Sequence, residues 1–455
     1  MMWKLRALGA LVLSAHSATA VELTLGNDAS VKSAASTIAF GLMSYYTGNR
    51  TGDTPGNLPD PYFWWETGAM FGTMIDYWKL TGDTSYNEAT KQALVHQAGD
   101  NRDFLPRNQS RTSGNDDQGF WAMAAMSAAE NQFPDPPADE PQWLALAQAA
   151  FNQWARLWDE EVLCGGGLRW QINVFNVGYN YKNSISNGCF FNIAARLARF
   201  TGNQTYADWA TKIFAWQESV GLITPNYDVY DGVTINREDG NCRETDQIQW
   251  SYNHGIYLHG AAVMYDVSGR DSLWKQRVDG ILGSTINMFY NGTVMVEKFC
   301  EEPGFCDIDQ RSFKGYLTRW MAGTTQMAPH TFDVIHPLLE SSAEAAAKAC
   351  TGSPAADFNG IPGTACGFKW TTGGFDGMVG VGEQMNALGA VMYTMINKVA
   401  QPLTSDTGGT SRGNPDAGLN IPESSPITLG ERVAAGFLTT AVAFSVIGGS
   451  VFVML

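Results

Sequence analysis

The chain has 455 residues and a net charge of −16, with only 16% charged residues but 15 Trp, 23 Phe and 16 Tyr. So acidic a surface excludes nucleic acid and anionic lipid as natural partners. A weakly charged, aromatic exterior suits neutral carbohydrate, because aromatic faces stack on sugar rings.

Residues 1–20 place Lys4 and Arg6 before the apolar run Ala7–Leu13 and then Ala18-Thr19-Ala20, the order of a cleaved secretory signal. The mature chain is expected to begin near Val21. In an exported chain the Asn-x-Ser/Thr sequons at Asn49, Asn108, Asn203 and Asn291 are expected surface glycosylation sites.

From Ser30 to Lys398 the periodicity is mostly helical. Apolar positions recur three or four apart over 31–46, 64–80, 118–130, 142–158, 185–200, 206–220, 252–267 and 384–399. A turn pattern repeats between them. Leu80-Thr81-Gly82-Asp83 returns as Phe200-Thr201-Gly202-Asn203, and more loosely as Val267-Ser268-Gly269-Arg270-Asp271. In each, Gly ends one helix in the left-handed conformation and a polar residue caps the next. Counting outward gives about twelve helices, or six hairpins, in a domain spanning 21–403. The segments 69–78 and 256–265 are apolar on both faces, as inner helices of a ring are. The expected fold is all-α, an (α/α)6 barrel of six hairpins in a closed toroid; an open solenoid is the alternative and normally shows a stricter period.

Gly114-Asn115-Asp116-Asp117-Gln118-Gly119 sets two acids where a loop turns into a helix read as 119–130. A capping Asp explains one of them, since it satisfies free N–H groups and suits the positive helix end. A cleft with paired carboxylates beside Trp121 is what acid-assisted sugar chemistry needs. Loops rich in aromatic, polar and glycine residues surround the pair in the expected fold. Within them Trp65, Trp170, Asp231, Tyr252, Asn253, Lys314 and Arg319 are candidates for lining the same mouth as Asp116 and Asp117. The aromatics would stack on sugar, and the two cations would meet an anionic substituent of the glycan.

Seven cysteines leave at least one unpaired. Cys300 with Cys306 and Cys350 with Cys366 flank short loops and read as local bridges. Cys164 with Cys242 would then join two loops, and Cys189 would be a buried free thiol. No metal site and no cofactor are expected: His254 and His259 are five apart, off a common helix face.

Residues 404–432 are rich in Gly, Ser, Thr, Pro and Asn, and 433–455 are an apolar tail without a basic end. That is the layout of a GPI signal whose tail is removed, with Asp416 the leading attachment residue. An ordinary C-terminal membrane helix is the alternative. The expected location is the outer face of the plasma membrane or the cell wall.

The chain resembles glycoside hydrolase family 76, and within it the fungal GPI-anchored mannan endo-1,6-alpha-mannosidases. The resemblance covers essentially the whole chain. It rests on Asn115-Asp116-Asp117-Gln118-Gly119-Phe120-Trp121, the run from Cys164 to Gln171, Asn183 to Asn187, Tyr252-Asn253-His254-Gly255 and Phe313-Lys314-Gly315-Tyr316. It implies an (α/α)6 barrel and catalysis by Asp116 and Asp117, with Asp116 the nucleophile and Asp117 the acid/base of a retaining reaction on alpha-1,6-linked mannose. For the fungal branch it implies action on the mannose core of GPI glycans, with cell-wall glucan as acceptor and a GPI lipid as the link to the membrane. The competing classes are a non-catalytic wall scaffold, which would lack one acid, and an (α/α)6 enzyme on uronic sugars, which would need clustered basic residues.

Overall fold

The computed structural model describes residues 20–419 except 161, 237, 355 and 356, together with 439, 440 and 442. The expected signal segment, apart from Ala20, and the expected tail, apart from those last three residues, lie outside the described residues. The chain falls into two units, 1–418 and 419–455. No helix among the described residues is long and apolar enough to cross a membrane.

Among its described residues the first unit has twelve helices: α1 (Asp28–Met43), α2 (Trp64–Thr81), α3 (Asn87–His96), α4 (Asn115–Asn131), α5 (Trp143–Glu160), α6 (Ser184–Thr201), α7 (Gln204–Ser219), α8 (Ser251–Val267), α9 (Ser272–Phe289), α10 (Phe313–Met327), α11 (Phe332–Ala349) and α12 (Val381–Met392). The repeated turns end and restart helices as their chemistry dictates. Gly82 and Gly202 close α2 and α6 at φ 80° and 69°. Asn203 and Asp271 cap α7 and α9 through their side chains. Asp83 does otherwise: its Oδ1 accepts the Ser85 N–H within the turn, and α3 starts only at Asn87.

Even-numbered helices form the inner ring. α2 packs on α4, α4 on α6, α6 on α8, α8 on α10, α10 on α12, and α12 returns to α2. Odd-numbered helices lie outside, each against one or both of its neighbours in sequence. The inner positions of α2, α4 and α8 are buried nearly all round, which is why these segments read as apolar on both faces. This is the (α/α)6 arrangement expected from the hairpin count. The C-terminal helix departs from its expected span: α12 stops at Met392 and 393–398 continue as a tighter 3-10 turn.

Because inner helices all run the same way, the connections entering them gather at one end, the mouth, and those leaving them at the other, the base. The mouth carries β1 (Tyr181–Asn183), β2 (Gly232–Ile235) and β3 (Cys242–Asp246) as one antiparallel sheet in that order. Disulfides join Cys164 to Cys242, Cys300 to Cys306 and Cys350 to Cys366, and Cys189 is free and buried, all as expected. The stretch read as a linker from 404 lies against the barrel as far as Gly418. Leu403 N–H donates to the Glu130 carbonyl, Ser411 Oγ accepts from Leu144 N–H, and Asn152 donates to the Pro415 and Ala417 carbonyls. Asp416 is exposed on this strap, and Asn49, Asn108, Asn203 and Asn291 are all exposed.

Candidate active site

α4 begins at Asn115, four residues earlier than the start at 119 read from the sequence, so Asp116 and Asp117 lie in the first helical turn. Acids are favoured there by the free N–H groups and the helix dipole, which outweigh the missing apolar periodicity. Asp117 does cap: its Oδ2 accepts the Gly114 N–H at 2.8 Å. Asp116 has other partners. Its Oδ2 accepts from Asn183 Nδ2 at 3.1 Å, and its Oδ1 accepts the Asp117 N–H at 3.1 Å. Gly114 is required by space, since a Cβ there would fall on the Asp116 carboxylate.

The pair opens into a cleft of about 210 Å³ lined also by Trp65, Phe120, Trp170, Tyr181, Asn183, Trp250, Tyr252 and Phe313, with Asp231 and Asp309 as further acids. Backbone pairing fixes one wall to the acids: Asn115 N–H donates to the Trp170 carbonyl at 2.9 Å and Trp170 N–H to the Tyr181 carbonyl at 2.6 Å. On the opposite side Tyr252 stacks on Phe313, ring centroids 3.9 Å apart, and Trp65 packs on Phe120 at 4.7 Å. Asp231 is held by Tyr181 Oη at 2.7 Å and Asn253 Nδ2 at 3.3 Å.

Among the described residues four carboxylates and no Lys or Arg line this cleft, and the titration of the acids reflects it. Burial, then the charge of Asp117, holds Asp116 well above the usual carboxylate range. Burial lifts Asp117 to about 6 against the Gly114 N–H, with Asp309 adding a smaller push upward. Asp231 also rises to about 6, mainly by burial. Two cues oppose each other within the pair: desolvation puts the proton on Asp116, whereas two donors aimed at Asp116 favour its anion. Both carboxyls rise together, so the cleft retains a proton between them toward neutral pH.

Of the residues singled out in the sequence, Asp116, Asp117, Trp65, Trp170, Asp231 and Tyr252 meet at this mouth. Asn253 is fully buried and reaches the cleft only through Asp231. Lys314 and Arg319 are corrections. Lys314 follows Phe313 in sequence but points the other way, fully buried, with Nζ 3.0 Å from Glu301 Oε2, 2.6 Å from the Phe368 carbonyl and 4.2 Å from the Trp370 ring centre. Arg319 lies one turn deeper and bonds Asp76 Oδ2 at 2.7 Å in a cavity at the base, beside Glu130 and Arg196. Neither cation is available to a glycan at the mouth. A cation in a weakly charged chain reads as a ligand contact, but helical spacing turns both toward buried acids.

Sequence reasoning missed Asp309 and Tyr181, and gave Asn183 no role. Asp309 precedes a short 3-10 turn and accepts the Gln310 N–H at 2.8 Å, so it carried only a capping signal. Among the described residues no group of three His, Cys, Asp or Glu is placed to hold a metal ion.

The pattern of glycosyl hydrolase family 76 matches residues 30–406. The mannan endo-1,6-alpha-mannosidase DCW1 of Saccharomyces cerevisiae is 47% identical, over 94% of this chain and 94% of its own length. A second yeast relative, the mannan endo-1,6-alpha-mannosidase DFG5, is 41% identical over 96% of this chain and 94% of its own. A crystal structure of Dfg5 from Chaetomium thermophilum in complex with glucosamine has a TM-score of 0.82 at 47% identity, covering 87% of this chain and 97% of that one. An alpha-1,6-mannanase of Salegentibacter sp. HEL1_6 shares the fold at a TM-score of 0.62 and 18% identity, covering 80% of this chain and 98% of that one. With the match spanning the whole helical ring and its acidic cleft, the chain belongs to glycosyl hydrolase family 76 and is a glycoside hydrolase.

Proposed function

We propose that the protein is a retaining mannosidase or transglycosidase acting on alpha-1,6-linked mannose in the core glycan of GPI-anchored proteins, with cell-wall glucan as acceptor. The observation that carries the reading is the Asp116–Asp117 pair at the start of an inner helix, raised together and opening on an aromatic cleft. Relatives named as mannan endo-1,6-alpha-mannosidases, one at 47% identity, support the linkage. A cleft lined, among the described residues, by four carboxylates and no cation suits the ammonium group of an amino sugar next to mannose. The glucosamine bound by the Chaetomium relative supports the same choice.

In the reaction Asp116 attacks the anomeric carbon while Asp117 gives its proton to the leaving glycosidic oxygen. A covalent mannosyl ester on Asp116 results. Asp117, now an anion, takes the proton of an incoming hydroxyl, which displaces Asp116 with net retention. Trp170, Trp65 and Tyr252 offer ring faces to sugars, and Asp231, oriented by Tyr181 and Asn253, accepts from sugar hydroxyls. The protein is exported after loss of 1–20 and anchored through a GPI lipid at Asp416.

The test is incubation with a defined GPI-core mannoside, with and without a glucan oligosaccharide, followed by mass and anomer analysis of products. Retained alpha configuration and a glucan-linked product are expected. Inverted product would exclude Asp116 as nucleophile, and water as the only acceptor would exclude transfer.

A further inference from the structure

From Trp170 to Asn180 the chain holds no Asp, Glu, Lys, Arg or His. The segment leaves the cleft wall at Trp170 and returns at Tyr181, both cleft residues, with its neck closed by the Trp170 N–H to Tyr181 carbonyl bond. Beyond the neck the usual order of a surface loop is inverted. Val174, Phe175 and Val177 are 58%, 92% and 93% exposed, whereas Asn173 and Asn176 are half-buried.

The loop's two inward-facing asparagines are bonded. Asn173 accepts the Phe175 N–H through Oδ1 at 3.0 Å and the Asn176 N–H through its carbonyl at 3.0 Å. Asn176 Nδ2 donates to the Arg111 carbonyl at 3.0 Å and to Gln171 Oε1 at 2.8 Å. Gly178, at φ 90°, lies so close over the Trp170 ring that a Cβ would not fit, which ties the loop to the cleft wall.

A segment whose amide side chains are already bonded brings no unpaired polar side chain into a layer poor in hydrogen-bond partners, and covering its apolar side chains is favourable. Branched aliphatics such as the two valines have no flat face for a sugar ring. An uncharged tip on a chain of net charge −16 is matched to a zwitterionic surface rather than an anionic one. None of the four sequons falls on the segment, so no N-glycan would stand on it.

We infer that residues 172–178 form an interfacial finger that enters the lipid–water boundary of a zwitterionic outer leaflet and sets the cleft mouth beside it. Three side chains give a weak, reversible contact, which orients the protein rather than anchors it. The contact itself is independent of the substrate. Its use rests on the reading that the donor is a lipid-borne glycan, whose first sugars lie at that boundary.

The test uses the full chain with a nitroxide on Phe175→Cys, Cys189 being buried, and a control label on Leu273→Cys at the base. In phosphatidylcholine vesicles the label at 175 is expected to be about tenfold less accessible to a water-soluble nickel relaxant than the label at 273. Equal accessibility overturns the proposal, as does shielding of 175 without vesicles, which would mean a second copy of the chain covers the loop. In a second arm, Phe175→Ser with Val177→Ser is expected to keep turnover on a soluble alpha-1,6-mannoside and lose about tenfold on a donor held in vesicles. An equal loss on both donors would make the loop a sugar platform and overturn the lipid contact. If neither donor is turned over by the unsubstituted protein, the donor reading fails while the label measurement still decides the finger.

Discussion

Asn183 is bonded at both ends of its side-chain amide: Oδ1 accepts the Ser186 N–H at 3.2 Å and so caps α6, while Nδ2 donates to Asp116 Oδ2 at 3.1 Å on α4. One side chain thus joins the starts of two neighbouring inner helices and fixes an oxygen of the proposed nucleophile. Asn183→Asp separates the two duties. Aspartate caps as well as asparagine, but it has no proton to donate and adds a charge beside Asp116. The variant is expected to melt near the parent temperature and to lose at least about tenfold in turnover. Asn183→Ala is expected to lose both activity and about 1 kcal/mol of stability. Thermal melts beside initial rates on one mannoside distinguish these outcomes; an active Asn183→Asp would make the contact incidental.

Asp116→Asn and Asp117→Asn are expected to fold and to be inactive. Each keeps the shape of the side chain, and an amide oxygen at 117 still accepts the Gly114 N–H, so the change costs at most a fraction of the roughly 0.5–2 kcal/mol of a cap lost outright. Loss of acid or base function alone is worth about 10²–10⁴ in rate. Circular dichroism, melting and turnover measured on the same preparations suffice. Near-normal turnover by either variant would remove that residue from the chemistry, and unfolding of both would return the pair to a structural role.

The ring of hairpins was legible because its signals are local: glycine at φ 80° and 69° after α2 and α6, side-chain caps at Asn203 and Asp271, and inner helices apolar on both faces. The start of α4 is not legible because its first turn, Asn115 to Gln118, is polar and breaks the apolar period: Asp116 and Asp117 line the cleft, while Asn115 and Gln118 donate to the Arg169 and Asp103 carbonyls. Trp65, Trp170, Asp231 and Tyr252 were recoverable as unusual aromatic and acidic loop clusters. Lys314 and Arg319 were not separable from them, since only three-dimensional packing reveals Glu301 and Asp76 as their partners. Asp309 was hidden for the opposite reason: it satisfies a local N–H, and nothing in the sequence says that it shares a cleft with Asp117, 192 residues earlier.

Asp309→Asn tests that missed acid through pH dependence. Asp309 pushes the Asp117 carboxyl upward, in addition to burial, which together hold it near 6. As the proposed proton donor, Asp117 is active when protonated, so the free enzyme's activity declines as pH rises through that value. Removing the negative charge lowers the Asp117 value and moves the alkaline limb of kcat/KM to lower pH. A profile with an unmoved or raised alkaline limb would show that the charge of Asp309 does not act on the proton donor.

Lys314→Met removes a cation with no place at the mouth. Lys314 is fully buried against Glu301, itself 5% exposed at the side chain, and its loss leaves that carboxylate without its charged partner. Breaking a buried pair on one side costs about 3–5 kcal/mol. The expected variant is less stable by an amount of that order, measured by denaturant unfolding, while the folded fraction binds the mannoside with an unchanged KM. A raised KM with unchanged stability would put Lys314 back among the glycan contacts.

Stability should fall between pH 6.5 and 8.5. Burial raises Glu66 and Glu297 to about 8 and Glu383 to about 7, so between an ordinary Glu value and these the folded state binds more protons than the unfolded chain. Stability from these groups is full in acid and declines as pH climbs through the folded values. Two buried histidines act in the other direction. Burial lowers His254 to about 3 and His259 well below its usual value, so the unfolded chain binds more protons below about 6.5, where an ordinary His titrates, and stability drops there. The two sets oppose each other between the ordinary Glu value and that of His, and above it only the acids remain. The melting temperature is therefore expected to be lower at pH 8.5 than at pH 6.5. Glu297→Gln, which keeps an acceptor for the Ser251 hydroxyl and N–H, should flatten that decline. A melting temperature that rises over this interval, or a slope untouched by Glu297→Gln, would mean that these acids are not held protonated by their burial.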